Sequence, residues 1–341
     1  MSPYAKSALT WASVIAGLIV FFGIRYALVQ GVFNSVAEIT PGTCRPVAPG
    51  LKGPNDLLID VAHNLLLIAA RDGRNPDPHD GIYLLKLDDP AAPPQRLAGT
   101  PADFHPTGLS LYRDASGKET LMAIDDGPNG RKMVQFYGLD FSGEAPTASQ
   151  ESVVQSGAMV SPHDVAAVGE NQFYVTNDHV THDRLGRFAE DYLLWPHADV
   201  LLYNGMGFRI VTQRIAMPSG ILARGAYLYL AAANERRVIA LSREDFTGNL
   251  DEIGSLSIPA RLNHLTADAQ GDLIVAGETR PGSAQVFRVR LGPDGKPLSY
   301  ETIFSDDGHL LKGASSAAVH DGHLFIGSAE DSKMLECDFK N

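Results

Sequence analysis

Short apolar segments alternate with polar turns through most of the chain, and this pattern predicts β-strands. Residues 81–85 (GIYLL) and 133–137 (MVQFY) are typical: each is a short, mostly apolar run between turn-forming residues. After the N-terminal segment, no stretch of a dozen residues shows the apolar spacing of an amphipathic helix. We therefore expect this part of the chain to be almost entirely β.

A unit of turn, apolar strand, turn and apolar strand recurs six times. Its clearest copies are residues 163–178, 219–234, 263–278 and 315–330, and weaker copies begin at 55 and 107. The equivalent positions are Asp56, Gly108, Asp164, Gly220, His264 and Ser316, which are separated by 52, 56, 56, 44 and 52 residues. Periods near 50 residues are typical of propeller blades. The prediction is an all-β, six-bladed β-propeller, and a pair of β-sandwiches is the alternative.

The N-terminal segment differs from the rest of the chain. Residues 7–24 carry no charge, are flanked by Lys6 and Arg25, and have Trp11 and Tyr26 near their ends. This length is sufficient for a transmembrane helix. We predict a tail over residues 1–6, a membrane anchor over 7–29 and a linker over 30–43. A signal peptide cleaved near residues 35–37 (SVA) is the alternative.

Charge and cysteine content exclude several classes of function. The chain has 28 Lys and Arg against 40 Asp and Glu, a net charge of −12, and no run of basic residues, which argues against binding to nucleic acid. Its only cysteines are Cys44 and Cys337, too few for a cysteine-based zinc cluster. A bond between them would tie together the ends of a domain spanning 44–341 and would require an oxidising compartment, whereas two buried free thiols would not.

Polar residues precede the first strand of each repeat. In a propeller the first strands lie innermost, so these residues should form a ring at one mouth of the central channel. The ring comprises Asn55, Asp56, His105, Thr107, His163, Asp164, Ser219, Asn263, His264, Ser315 and Ser316.

The ring offers two kinds of chemistry. Asp56 and Asp164 are hard oxygen ligands of the type that calcium prefers. The three histidines could bind a transition metal or act as general bases. Each residue taken alone could instead cap a turn.

Several segments resemble the paraoxonase/arylesterase family. These are residues 164–169 (DVAAVG), 173–179 (FYVTNDH), 104–110 (FHPTGLS) and 335–337 (LEC). The resemblance implies a six-bladed, gluconolactonase-like propeller with a retained hydrophobic N-terminal helix and a Cys44–Cys337 disulfide. It also implies two calcium ions in the channel, one structural and one catalytic.

The resemblance assigns roles to individual residues. Asp56 and Asp164 match the carboxylates of the structural calcium site, which the backbone carbonyl of Leu109 would complete. The positions matching the catalytic calcium ligands are Asn55, His163, Ser219, Asn263 and His264, where the family has Glu, Asn, Asn, Asp and Asn. The family's proton-shuttling histidine pair maps to Thr107 and Asp126, and His105 lies two residues before Thr107.

These substitutions change the expected metal chemistry. Imidazole and hydroxyl groups replace the oxygen ligands that calcium needs, and a borderline metal such as zinc, bound by histidines of the ring, could activate water instead. The candidate catalytic residues are therefore His163, His264, His105, Asp126 and Thr107.

Three functions follow as expectations. The first is a membrane-anchored hydrolase of small esters or lactones that uses metal-activated water, with the propeller on the periplasmic, extracellular or lumenal side. The second is a catalytically inactive propeller that binds a protein partner or supports assembly at the membrane. The third is a propeller enzyme that resembles strictosidine synthase.

Overall fold

In a computed structural model, which describes residues 3–73, 77–127, 130–143 and 145–340, one long helix precedes a propeller of strands. Helix α1 spans Pro3–Val29, and Met1 and Ser2 of the predicted tail lie outside the described residues. Its segment Trp11–Val29 has a mean hydropathy of 2.1 and is exposed, so by length and composition it could cross a membrane. A second helix, α2, spans Arg184–Leu193 within the third blade.

The described strands form six four-stranded antiparallel sheets. In five of these sheets the strands are hydrogen-bonded in chain order, and in the sixth a strand from the start of the propeller pairs with strands from its C-terminus. Blade one contains β2 (Pro54–Asp60), β3 (Leu65–Ala70), β4 (Gly81–Lys86) and β5 (Gln95–Arg96). Blade two contains β6 (Pro106–Arg113), β7 (Glu119–Gly127), β8 (Arg131–Asp140) and β9 (Thr147–Gln155). Blade three contains β10 (Pro162–Gly169), β11 (Gln172–Asn177), β12 (Ala198–Tyr203) and β13 (Phe208–Ile215). The next two contain β14 (Pro218–Arg224), β15 (Tyr227–Ala232), β16 (Arg237–Arg243) and β17 (Leu250–Ser257); and β18 (Arg261–Ala267), β19 (Leu273–Glu278), β20 (Ala284–Leu291) and β21 (Pro297–Asp306).

The sixth blade joins the two ends of the propeller. Three of its strands come from the C-terminus and the outermost comes from the start of the domain: β22 (Ser316–His320), β23 (His323–Gly327), β24 (Met334–Asp338) and β1 (Cys44–Val47). Cys44 pairs directly with Cys337 in the register of β1 and β24, and a disulfide joins them. The predicted six-bladed propeller and its disulfide are therefore confirmed.

The first strands of the blades form a closed ring around the axis. In order, β2, β6, β10, β14, β18 and β22 each pack against the next, and β22 packs against β2. Six apolar clusters fill the spaces between blades, one for each pair of neighbouring sheets. Burial of apolar surface between sheets therefore holds the ring in place.

The pairing of the first strand with the second is irregular near the beginning of five blades. Register shifts follow Pro54, Pro106, Pro162, Pro218 and Leu262. Such bulges break the alternation of side chains and redirect them. In each of these five blades the shift falls at or beside the position that is equivalent between the sequence repeats. Polar side chains can therefore turn toward the axis at that position.

Candidate active site at the channel mouth

A cavity of about 210 Å³ opens where the first strands of blades four and five begin. It is bordered by starts of first strands and by ends of second strands, because the hairpins are antiparallel. Its lining residues are His163, Met217, Ser219, Ala233, Arg261, Leu262, Asn263, Glu278, Ala314 and Glu330.

His163 lines this cavity with its protonation pattern fixed by a backbone carbonyl. Its Nδ1 atom lies 2.5 Å from the carbonyl oxygen of Ser219, which can only accept a hydrogen bond, so Nδ1 carries the proton. In the neutral ring, Nε2 then has a free lone pair. Burial lowers the pKa of His163, and the nearby His264 lowers it further. His163 is therefore a neutral imidazole that can accept a proton through Nε2 near neutral pH.

His264 forms a buried group with Asp56 and Asp164, and the three residues come from alternate blades. Its Nδ1 atom is 3.2 Å from Oδ2 of Asp164 and 3.5 Å from Oδ1 of Asp56. All three side chains are almost completely buried. Burial opposes a charge on His264, but the two carboxylates outweigh it and raise its pKa to about 9. Burial also raises the pKa of Asp56, to about 7, and Asp164 adds to this effect while His264 opposes it.

Two glycines allow the ring to close this tightly. A Cβ atom on Gly108 would lie 2.7 Å from Oδ1 of Asp164, and one on Gly220 would collide with the carbonyl oxygen of Asn263. A side chain at either position would push neighbouring first strands apart.

Glu278 and Glu330 also line the mouth, although the sequence analysis did not include them. Burial raises the pKa of Glu278 to about 7, and the neighbouring Glu330 raises it further, opposed by Arg261. Both glutamates are the last residue of a repeat segment, 263–278 and 315–330, and this shared position was the signal that could have identified them. A carboxylate with a raised pKa in a cavity is a candidate functional group.

Three of the remaining predicted ring residues make side-chain hydrogen bonds that link neighbouring blades. The Asn55 amide donates to the carbonyl oxygen of Thr107, and the Ser219 hydroxyl donates to those of Ala231 and Leu262. The Ser315 hydroxyl donates to Pro54. The side-chain oxygens Thr107 Oγ1, Asn263 Oδ1 and Ser316 Oγ are buried and have no hydrogen-bond partner among the described residues.

His105 and Asp126 make contacts away from His163 and His264. The buried His105 ring is 2.7 Å from Oδ2 of Asp80. Asp126 lies 2.7 Å from Arg71 and also pairs with Lys132. Each therefore already has a charged partner in blades one and two.

Asp56, Asp164 and His264 form a group of side chains that could hold a metal ion. Their donor set does not fit calcium, which takes six to eight oxygen ligands. The third member supplies nitrogen, and each of the four carboxylate oxygens already accepts a backbone N–H. The contact that Leu109 makes with Asp56 is through its N–H, which donates to Oδ2 over 2.8 Å.

His163 and His264 are poorly arranged to share a transition metal. Their rings stack, with centroids 5.0 Å apart and planes inclined by 25°. The lone pairs of imidazole lie in the ring plane, so stacked rings present faces rather than ligand atoms to each other.

The family model for arylesterase matches residues 61–339 of this chain, which is most of the propeller. The chain belongs to the arylesterase family. The resemblance found in the sequence is thereby confirmed, and so is the expected class of enzyme, a hydrolase of ester bonds.

Individual relatives of this arylesterase-family chain agree with the assignment. Serum paraoxonase/arylesterase 2 from Homo sapiens is 27% identical over 271 residues, covering 74% of this chain and 75% of the relative. Serum paraoxonase/lactonase 3 from Homo sapiens is 25% identical over 283 residues, covering 77% and 78%. Among solved structures, a gluconolactonase from Xanthomonas campestris has a TM-score of 0.54 at 14% identity, covering 90% of this chain and 99% of that one. At that identity the likeness shows the fold alone.

The mouth of this arylesterase-family propeller lies at the same end as the C-terminus of α1. Arg261, which begins β18 and lines the mouth, donates to Oε1 of Gln30, the residue after the helix. Arg236 donates to the carbonyl oxygen of Val29 over 2.8 Å. The opening of the channel and the apolar helix are therefore neighbours.

Proposed function

We propose that this protein hydrolyses esters or lactones at the channel mouth, with His163 as the general base. The observation that carries the proposal is the neutral imidazole of His163, whose Nδ1 proton is held by Ser219 while the ring lines a cavity. Membership of the arylesterase family supports the reaction class. The names of the relatives, arylesterase and lactonase, support small esters and lactones as substrates.

The reaction requires only groups that border the cavity. Nε2 of His163 takes a proton from water, and the oxygen of that water attacks the carbonyl carbon of the substrate. We assign to Arg261, which lines the cavity, the stabilisation of the negative oxygen of the tetrahedral intermediate. Collapse of the intermediate breaks the ester bond, and the imidazolium returns its proton to the leaving alcohol oxygen. The products are a carboxylic acid and an alcohol, or one hydroxy acid from a lactone.

Glu278 and Glu330 make the cavity sensitive to pH. With a pKa of about 7, Glu278 is partly protonated near neutrality and can donate a hydrogen bond to a substrate oxygen. When both carboxylates are ionised, their charge opposes the approach of anionic substrates. We therefore expect neutral esters and lactones to be preferred.

The expected metal chemistry takes no part in this mechanism. The two calcium ions stay predictions of the resemblance, and water activated by zinc stays a prediction from the histidines that depart from it. The nitrogen ligand among Asp56, Asp164 and His264 argues against calcium at this group. The stacking of His163 on His264 argues against a transition metal shared by the two histidines.

We further propose that α1 is retained as a membrane anchor. Arg25 lies over the ring of Tyr192 in α2, and the ring of Tyr26 stacks with the same tyrosine, with centroids 6.5 Å apart. Cleavage after α1 would expose this aromatic contact, which supports retention over removal as a signal peptide. The disulfide supports a periplasmic, extracellular or lumenal propeller, because such bonds persist in oxidising compartments.

Turnover of a panel of aryl esters and lactones by the full chain in detergent tests the function. We expect hydrolysis that persists after treatment with EDTA and is lost in His163→Gln. His320→Gln, at the far end of β22 from the mouth, is the matched control and should keep wild-type activity.

Other outcomes would point to other functions. Activity that EDTA abolishes and zinc or calcium restores would support the metal-activated route. Absence of hydrolysis across the panel would favour a binding or assembly module, or a propeller enzyme of another type.

A further inference from the structure

Three ionisable side chains from every second blade meet near the axis of the propeller. Asp56 belongs to blade one, Asp164 to blade three and His264 to blade five, so the three groups approach the axis from every second blade. Their exposures are 5%, 3% and 1%. They stand between two cavities: Asp56 and Asp164 border the channel interior, and the neighbouring His163 and Asn263 border the mouth.

The two carboxylates are held in place by backbone N–H groups. Asp56 accepts hydrogen bonds of 2.8 Å from Leu57 and from Leu109 of the next blade. Asp164 does the same with Val165 and with Ile221 of the next blade. The carboxylates thus link blade one to blade two and blade three to blade four.

Two buried carboxylates with oxygen atoms within 4.8 Å of each other need a positive group nearby. Removing a charge from water without a partner is unfavourable, so buried charges are paired or coordinate metals. Nδ1 of His264 is within 3.5 Å of an oxygen of each carboxylate, which is where such a group has to lie.

The backbone of His264 fixes its ring in this position. The N–H of His264 donates to the carbonyl oxygen of Ser315 in the neighbouring segment, over 3.0 Å. Gly220 allows blade four to approach Asn263 and the Cα atom of His264 closely. The ring also packs against His163 on its other side. Backbone contacts and stacking therefore position the ring of His264, whose two nitrogen atoms have no hydrogen-bond partner among the described residues.

We infer that the side chain of His264 occupies the place of a cation between Asp56 and Asp164, so that this propeller joins its blades at the axis without calcium. A side chain of the fifth blade then does what a bound ion would do, since its Nδ1 atom lies within 3.5 Å of a carboxylate oxygen of the first blade and of one of the third. The inference does not depend on hydrolysis at the mouth.

Elemental analysis and thermal unfolding of the purified full chain test this inference. We expect no stoichiometric calcium or other divalent ion in the wild type, and the same Tm in EGTA and in millimolar calcium. The variant His264→Asn exchanges the imidazole for an amide oxygen. It should have a lower Tm than the wild type in EGTA and should regain several degrees with calcium.

His105→Asn is the matched control, because His105 is also buried and paired with a carboxylate, Asp80. It should lose stability without gaining a response to calcium. Stoichiometric calcium in the wild type, or a fall of its Tm in EGTA, would overturn the inference even if the variant fails to fold. A His264→Asn variant as stable as the wild type in EGTA would also overturn it. Neither measurement uses activity, so both remain informative if the proposed hydrolysis is absent.

Discussion

The rings of His163 and His264 stack with centroids 5.0 Å apart, yet their surroundings shift their pKa values in opposite directions. His264 faces two carboxylates, which raise its pKa, whereas burial and the charge of His264 lower the pKa of His163. One histidine is therefore suited to carry charge and the other to accept a proton. Environments that separate two pKa values in this way commonly define acid and base roles.

The pH dependence of hydrolysis should show this relationship. Because His163 must be neutral to act and its pKa is lowered, activity should persist below pH 6.5 and fall only at more acidic pH. In His264→Asn the positive neighbour is lost, so the acid limb of kcat/KM should move to higher pH when measured in EGTA. His320→Asn should leave the profile unchanged. An acid limb that stays in place in His264→Asn would refute the coupling.

The Glu278–Glu330 pair should make the fold less stable as pH rises. The pKa of Glu278 is raised from 4.5 to about 7, so between these values the folded protein binds the proton more tightly than the unfolded chain. Stability should therefore fall as pH rises from about 4.5 through 7. Glu278→Gln should remove this fall and gain on the order of 1–3 kcal/mol at pH 8.

Urea unfolding at pH 5 and pH 8 measures the effect. The exposed Glu301 supplies the control, and Glu301→Gln should behave like the wild type. Equal loss of stability between the two pH values in Glu278→Gln and the wild type would show that the pair is not responsible.

Removal of the disulfide should weaken the closing blade. Cys44 and Cys337 are 293 residues apart, so their bond closes almost the whole domain into a loop. Chain-entropy arguments give a stabilisation of about 5–6 kcal/mol for so long a loop. The double change Cys44→Ser with Cys337→Ser should lower the Tm, and dithiothreitol should lower the Tm of the wild type but not that of the variant. Peptide mapping that found both thiols free would contradict this account.

Close packing of the first strands makes Gly220 intolerant of a side chain. A Cβ atom there would meet the backbone carbonyl of Asn263, which cannot move without displacing β18. Gly220→Ala should cost about 1–3 kcal/mol. Gly157→Ala serves as the control, because nothing lies within 4 Å of an added Cβ atom. Similar stability of the two variants, measured by urea unfolding, would argue against a tightly packed ring.

The repeat in the sequence was sufficient to predict the blades, because each first strand follows a polar turn and four of the six begin with proline. It also placed Asp56, Asp164 and His264 in equivalent positions. It could not show which of them meet, since strand position does not specify the direction of a side chain at a bulge.

The partners of individual residues were harder to predict for the same reason. His105 was predicted among the polar residues at the channel mouth, but its imidazole contacts Asp80. Asp80 lies in a loop with no counterpart in the repeat pattern. The repeat signal did not identify Glu278 and Glu330, because it marks the starts of the first strands and both glutamates end a repeat segment. In an antiparallel hairpin the end of the second strand reaches the same mouth, and this geometry brings both glutamates to the cavity.

Chemical rescue of a His163 variant tests the central claim most directly. His163→Ala leaves a space beside the cavity that free imidazole can enter. We predict that kcat for a good ester or lactone substrate falls by about 10²–10⁴-fold in the variant and partly recovers with added imidazole, in proportion to its neutral form. Wild-type kcat in His163→Ala without imidazole would contradict the account.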